Sequence, residues 1–125
     1  VFSSPEAACV GFTAEQAKGM GRFTDVTETA YPVLSNARML MSGAGGSLTV
    51  VSGKDAEAKD TDAPRVLGVH MVGPVASDII AEAEQLVGNH VPLSDAARLI
   101  HPHPTFSEVL GEALLKADRR PLHTR

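Results

Sequence analysis

The richest stretch of chemistry in this 125-residue chain is His101-Pro102-His103-Pro104-Thr105-Phe106-Ser107-Glu108. Two imidazoles two residues apart, each followed by proline, form a stiff turn, because proline fixes φ and removes a backbone donor. A histidine whose second ring nitrogen meets a carboxylate is a general base for thiol and hydroxyl chemistry. The carboxylate fixes the tautomer and stabilises the imidazolium. His103 and Glu108 are five residues apart, too far for one helical face. A histidine before a helix and a glutamate in its first turn still meet if the turn folds the ring back. Two plainer readings stand beside this one. Thr105-x-x-Glu108 is a capping box, with Thr105 as N-cap and Glu108 reaching back to its amide, and the histidines are then surface imidazoles of a polar turn. His-x-His is also a metal-ligand spacing, but zinc prefers four ligands and no further set lies nearby in a suitable pattern. No metal site is expected.

Other candidate chemistry is thin. Gly43-Ala-Gly-Gly46 carries the first two glycines of a dinucleotide fingerprint, but Leu48 stands where the third belongs. The segment also precedes a strand rather than opening a helix, so a phosphate would meet no helix N-terminus. The single cysteine, Cys9, rules out a dithiol within this chain. Flanked by Ala8 and Val10, it is expected as a small buried hydrophobe.

The elements that must position these residues follow from pattern. Ala7 to Phe12 reads as a strand, and Thr13-Ala-Glu-Gln16 as the capping box of a short helix over 14–19 stopped by Gly19 and Gly21. Phe23 to Tyr31 alternates and is rich in threonine, a strand ended by Pro32. Ser35 to Met41 is short and irregular or helical. Ser47 to Ser52 and Arg65 to Val72 are strands, joined by a polar loop over 53–64. Val75, Ile79, Ala83 and Leu86–Val87 share one side of a helix closed by Gly88-Asn89. Shorter helices are expected over Ser94 to Leu99 and Phe106 to Lys116. A hairpin across 47–72 requires antiparallel strands. Interspersed elements then give an α+β fold, an antiparallel β-sheet flanked by helices, over 1–117 with a fraying tail over 118–125.

Composition narrows the function classes. The net charge is −4, with no block of Lys or Arg and few aromatics. No nucleic acid partner is expected, since neither a basic stripe nor a stacking platform is present. No apolar run reaches the roughly 20 residues of a membrane helix. No secretory leader is visible, and one cysteine suits a reducing compartment, so a cytoplasmic setting is expected. Val1 in place of Met suggests an excised or processed fragment of a longer chain.

His103-Pro104-Thr105-x-x-Glu108 resembles the carboxy-terminal signature of the pyridine nucleotide–disulfide oxidoreductases, the dithiol/disulfide flavoenzymes. His101 before it resembles the dihydrolipoamide dehydrogenase branch in particular, with Pro102 where that branch usually has Ala. Pro5-Glu6-Ala7-Ala8-Cys9-Val10-Gly11-Phe12-Thr13 is similar to the family's opening of this domain, and Asn36-Ala37-Arg38 to a short motif within it. Leu67-Gly68-Val69-His70-Met71-Val72-Gly73-Pro74 with Ala76-Ser77-Asp78-Ile79-Ile80 resembles a third. These anchors keep the family's order and spacing over residues 5–112. Thr49 stands where members often carry Lys, Asp78 where they carry Glu, and the 53–64 loop looks longer than usual.

The resemblance implies an interface domain that forms a homodimer, the His103 loop of one subunit completing the other's active site. It implies that His103 takes a proton from a substrate dithiol, that Glu108 orients and charges the imidazole, and that His103–Pro104 is a cis bond near the partner's flavin. It implies FAD and NAD in the longer enzyme, carried on other domains and not bound by this fragment, which alone is expected to be inactive. The dithiol would be the dihydrolipoyl group of a 2-oxo-acid dehydrogenase complex or of a glycine cleavage protein. Glutathione- or mycothione-type disulfide reduction, and a standalone dimerising module, remain open alternatives.

Overall fold

Alternating small and β-branched residues in four segments produce one antiparallel sheet, ordered β1-β4-β3-β2. The computed structural model describes residues 6–32, 46–57, 64–73, 76–99 and 108–118. The strands are β1 (Glu6–Gly11), β2 (Phe23–Pro32), β3 (Ser47–Asp55) and β4 (Arg65–Gly73). The helices are α1 (Ala14–Gly19), α2 (Ala76–Gly88), α3 (Leu93–Ala97) and α4 (Glu108–Ala117). The architecture is α+β, an antiparallel sheet with helices on it, as the alternation implies.

Period two divides the sheet into two faces. Leu48 and Val50 of β3, Val69 and Met71 of β4, and Tyr31 of β2 point to the side covered by α2, α3 and α4. There they meet Ile79, Ile80, Ala83 and Leu86 of α2, Leu93 of α3, and Val109, Leu110, Ala113 and Leu114 of α4. Each large aliphatic side chain buried this way contributes roughly 1.5–3 kcal/mol. On the opposite face α1 caps one end, its Ala14 and Ala17 over Phe23, Val51 and Leu67. The expected capping box is present: Thr13 Oγ1 accepts from the Gln16 amide at 3.1 Å, and Gln16 Oε1 accepts from the Thr13 amide at 3.0 Å.

Close backbone approach explains one glycine. Gly68 pairs with Gly11 in register, and a Cβ built on Gly68 would stand 2.0 Å from the Phe12 carbonyl oxygen. Only a residue without a side chain lets the chain past β1 fold back on β4 there. The same Phe12 carbonyl accepts from His70 Nε2 at 2.9 Å.

Several expectations need correction. Cys9 is exposed, not buried. It lies opposite His70, on the face that α1 leaves open, while Ala8 and Val10 turn to the core. β3 continues three residues past Ser52, because a register shift between Val51 and Ser52 keeps Gly53 paired with Arg65. The loop is correspondingly shorter than 53–64. α3 spans Leu93–Ala97 rather than Ser94 to Leu99, and Leu99 is exposed. α2 ends at Gly88 as expected, but the left-handed residue beyond its end is His90 and not a glycine. His90 has a φ of 52°, its amide bonds to the Val87 carbonyl, and the Val91 amide to that of Leu86. The expected segment at 35–41, the glycines at 43–45, Val75 and Phe106 lie outside the described residues. So does the tail, apart from Asp118, whose amide still bonds to the Leu114 carbonyl at 2.9 Å.

Candidate functional site

The first turn of α4 carries the site residue that the structure describes. Glu108 is 9% exposed, and Glu112, one turn on, is 5% exposed. The helix forms around an apolar face made by Val109, Leu110, Ala113 and Leu114, which packs on β2, β3 and α3. Lys116 fixes its far end by donating from Nζ to the Ala30 carbonyl at 2.7 Å. Glu108, Glu112 and Lys116 recur every fourth residue and so stack along one side of α4.

Beside that side lies Tyr31, fully buried, with a hydroxyl that has no hydrogen-bond partner. Burial, then the negative charges of Glu112 and Glu108, push its phenol from 10.0 up to about 12. A tyrosine and two glutamates thus form a buried polar patch at the edge of an apolar core. Carboxylates are rarely buried to this degree without a task or a partner. Such a patch can hold negative charge near a base and so favour its protonated form.

Of the expected catalytic pair and the turn before it, Glu108 alone lies among the described residues. His101, His103, Pro104 and Thr105 lie outside the described residues, and with them the proposed cap and the His103–Pro104 bond. Sequence reasoning missed Glu112 and Tyr31. A lone glutamate inside Val109-Leu110-Gly111-Glu112-Ala113-Leu114-Leu115, one turn after Glu108, was the available signal for the first. Nothing in the sequence marked Tyr31 beyond its place at the end of a strand.

A second feature lies near β1, β4 and β3, beside the start of α2. It is an open, mostly apolar groove of about 660 Å³, lined by residues that include Ala7, Cys9, Thr49, His70, Val72 and Ser77. Cys9, His70 and Thr49 stand in one row across three strands. A carbonyl oxygen can only accept, so His70 Nε2 donates in its bond to Phe12. A single thiol cannot cycle as a disulfide by itself.

Gly46 and the strand after it do not form a dinucleotide cradle. Gly46 has a φ of 143°, and a Cβ there would stand 2.0 Å from the Val72 carbonyl oxygen. That glycine serves the close approach of β3 to β4, and a strand follows it where a phosphate loop needs a helix. Among the described residues no group of three or more His, Cys, Asp or Glu could hold a metal ion. None of the described helices is long and apolar enough to cross a membrane.

Comparison with known proteins places this geometry in context. Residues 1–114 match the model of the pyridine nucleotide-disulphide oxidoreductase dimerisation domain. The chain is 36% identical over 124 residues to a dihydrolipoyl dehydrogenase of Bacillus subtilis, covering 98% of this chain and 24% of the relative. A mitochondrial dihydrolipoyl dehydrogenase of Pisum sativum is 33% identical over 124 residues, covering 98% of this chain and 23% of the relative. Among solved structures, LpdA from Mycobacterium tuberculosis superposes with a TM-score of 0.76 at 24% identity, over 94% of this chain and 24% of that one. The HOCl-induced flavoprotein disulfide reductase RclA from Escherichia coli gives 0.75 at 25% identity, over 91% and 24%. The chain spans about a quarter of the length of these relatives.

Proposed function

The chain belongs to the dimerisation-domain family of the pyridine nucleotide–disulphide oxidoreductases, and we propose that it is the domain through which a dihydrolipoamide dehydrogenase pairs as a homodimer and supplies proton handling to its partner's active site. His103 is the base and Glu108 the group that orients and charges it. The observation that carries this reading is the buried carboxylate of Glu108 in the first turn of α4, five residues after His103 and backed by Glu112.

The chemistry follows from what a thiol needs. Disulfide exchange proceeds through the thiolate, so a neutral dithiol must first give up a proton. His103 takes that proton, and the ionised Glu108 lowers the cost of the imidazolium. The freed thiolate attacks one sulfur of a disulfide, forms a mixed disulfide and expels the other sulfur as thiolate. That disulfide, FAD and NAD belong to other parts of the longer enzyme, because this chain has one cysteine and no dinucleotide cradle among its described residues. The dihydrolipoyl group of a 2-oxo-acid dehydrogenase complex or a glycine cleavage protein is the substrate best suited to the names of the relatives.

The test is His103→Gln in the full-length enzyme, followed by dithiol oxidation with NAD. Turnover should fall by about 10²–10⁴ with flavin content intact, the usual worth of a positioned base. Glu108→Gln should cost less. Wild-type turnover by His103→Gln in a folded, flavin-loaded dimer would sink the reading. Side-by-side turnover of dihydrolipoamide and of glutathione or mycothione disulfides separates the related reductases.

A further inference from the structure

Alternation along the strands sends Ala8, Val10, Leu48, Val50, Val69 and Met71 into the helix-side core, so their neighbours point to the other face of the sheet. The register then lines up Cys9, His70, Thr49 and Ala30 in one row across all four strands. The next row holds Ala7, Val72, Ser47 and Pro32. Neither row contains a charged residue.

These rows are open. Val72 is 46% exposed, and Cys9, Ala30, Pro32 and Ser47 are exposed with it. Among the described elements only α1 reaches this side, and it covers the end of the sheet at Val51. Charge returns in that covered row, where Glu28 stands opposite Val51 at the exposed edge. An antiparallel sheet with one face in water normally carries polar side chains there. Depletion of charge is instead the mark of the centre of an interface. The apolar groove of about 660 Å³ follows the same rows, with Cys9, Thr49 and Val72 in its wall.

Size decides what covers this face. Four strands and two rows at ordinary β spacing make a patch of roughly 270 Å². A stable dimer buries about 800 Å² on each partner, so the patch is too small to hold two copies together. It suits a single segment that is already tethered, because a link within one chain removes much of the cost of association. The chain spans about a quarter of the length of its relatives, so about three quarters of such an enzyme lie outside it. We propose that the uncharged rows around Cys9 and Val72 dock an apolar segment from the cofactor-bearing part of the same longer polypeptide, and that the dimer contact uses other surfaces. The proposal rests on the chain being one domain of a longer reductase and not on the role of His103. Turnover of His103→Gln therefore bears on that role alone.

The experiment is alkylation of Cys9 by iodoacetamide, read on its own peptide by mass spectrometry, in the full-length flavoenzyme and in the 125-residue chain. Cys9 should react readily in the chain and roughly tenfold or more slowly in the enzyme, as expected of a thiol reached only by local opening. A segment of the same polypeptide covers the face at any concentration, so the protection should persist from micromolar to nanomolar enzyme. Equal reactivity in the two proteins means that the face meets solvent and overturns the proposal. Protection that fades on dilution means that a second copy covers the face, and overturns it too. Val72→Lys supplies a second arm, since its exposed side chain leaves the melting temperature of the 125-residue chain unchanged. In the full-length enzyme it should restore Cys9 reactivity while light scattering still reports a dimer. Persisting protection in the folded variant, or dissociation to monomers, overturns the proposal. If the full-length variant does not fold, the wild-type dilution series decides.

Discussion

Arg65, at the start of β4, grips Asp55, at the end of β3, with two parallel hydrogen bonds: Nε to Oδ2 at 3.1 Å and Nη2 to Oδ1 at 3.2 Å. The fork fits a carboxylate bidentately, which a lysine could not do. It closes the β3–β4 connection at its base, beyond the register shift at Val51/Ser52. The Arg65 guanidinium also lies over the Phe23 ring, 5.3 Å from its centroid, and so joins the connection to the smaller core beneath α1.

The pair should make stability depend on pH at the acid end. The hydrogen bond from Arg65, and then its charge, hold the Asp55 carboxyl below its ordinary 3.8. A carboxylate lowered by folding stabilises above its unfolded value, and that contribution disappears as pH falls through the folded one. Asp55 is 53% exposed, so solvent screens the pair and Asp55→Asn should cost only roughly 0.2–1 kcal/mol near neutral pH. Urea unfolding of wild type and variant should show that gap shrinking in acid and in high salt. A gap of constant size across the acid range would mean the fork acts through shape and not through charge.

The end of α2 offers a gain. His90 occupies a left-handed conformation, φ 52°, at the position where this kind of helix end favours glycine. The two closing bonds, from His90 to Val87 and from Val91 to Leu86, need only the backbone. His90→Gly should therefore stabilise by roughly 0.5–1 kcal/mol, the Cβ penalty outweighing the added freedom of the unfolded chain. His90→Ala removes the same ring but keeps the Cβ, and should give no such gain. Thermal melts of the two variants provide the comparison, and equal melting temperatures would contradict it.

These two sites also show what sequence could and could not carry. Thr13 and Gln16 were legible as a capping box because the whole interaction lies within one turn. Leu48, Val50, Val69 and Met71 were legible as strand residues because period two is local. Cys9 was misjudged, since apolar neighbours say nothing about which face of β1 is covered, and that depends on α1 and on pairing with β4. The order β1-β4-β3-β2 joins the first strand to the last, a choice made by tertiary packing. Gly53 reads locally as the start of a loop, and only its pairing with Arg65 across the sheet makes it a strand residue. At the candidate site, Glu108 stood out through a short motif. Glu112 and Tyr31 come onto neighbouring elements only when α4 lies against β2, and the bond between Lys116 and Ala30 that joins those elements spans most of the chain.

Tyr31 gives the last expectation, and it can be read on the 125-residue chain itself. It is the sole tyrosine in a sequence without tryptophan, so phenolate ultraviolet absorbance reports this residue alone. Burial and then the charges of Glu112 and Glu108 raise its folded value to about 12 from 10.0. The sign follows from proton binding. Between those values the folded state keeps the proton and the unfolded state releases it, so stability is full below pH 10.0 and falls as pH rises toward about 12. The gap of about two pH units makes the loss on the order of 2–3 kcal/mol. Tyr31→Phe removes that component and leaves only the loss contributed by other alkaline groups, which wild type shares. Absorbance titration should show no phenolate in the folded chain near pH 10.0, and denaturant melts should show wild type losing more stability than Tyr31→Phe above it. Ionisation near 10.0 while the chain is still folded, or equal alkaline loss in both proteins, would mean that neither burial nor the Glu112 and Glu108 charges hold the phenol above its ordinary value.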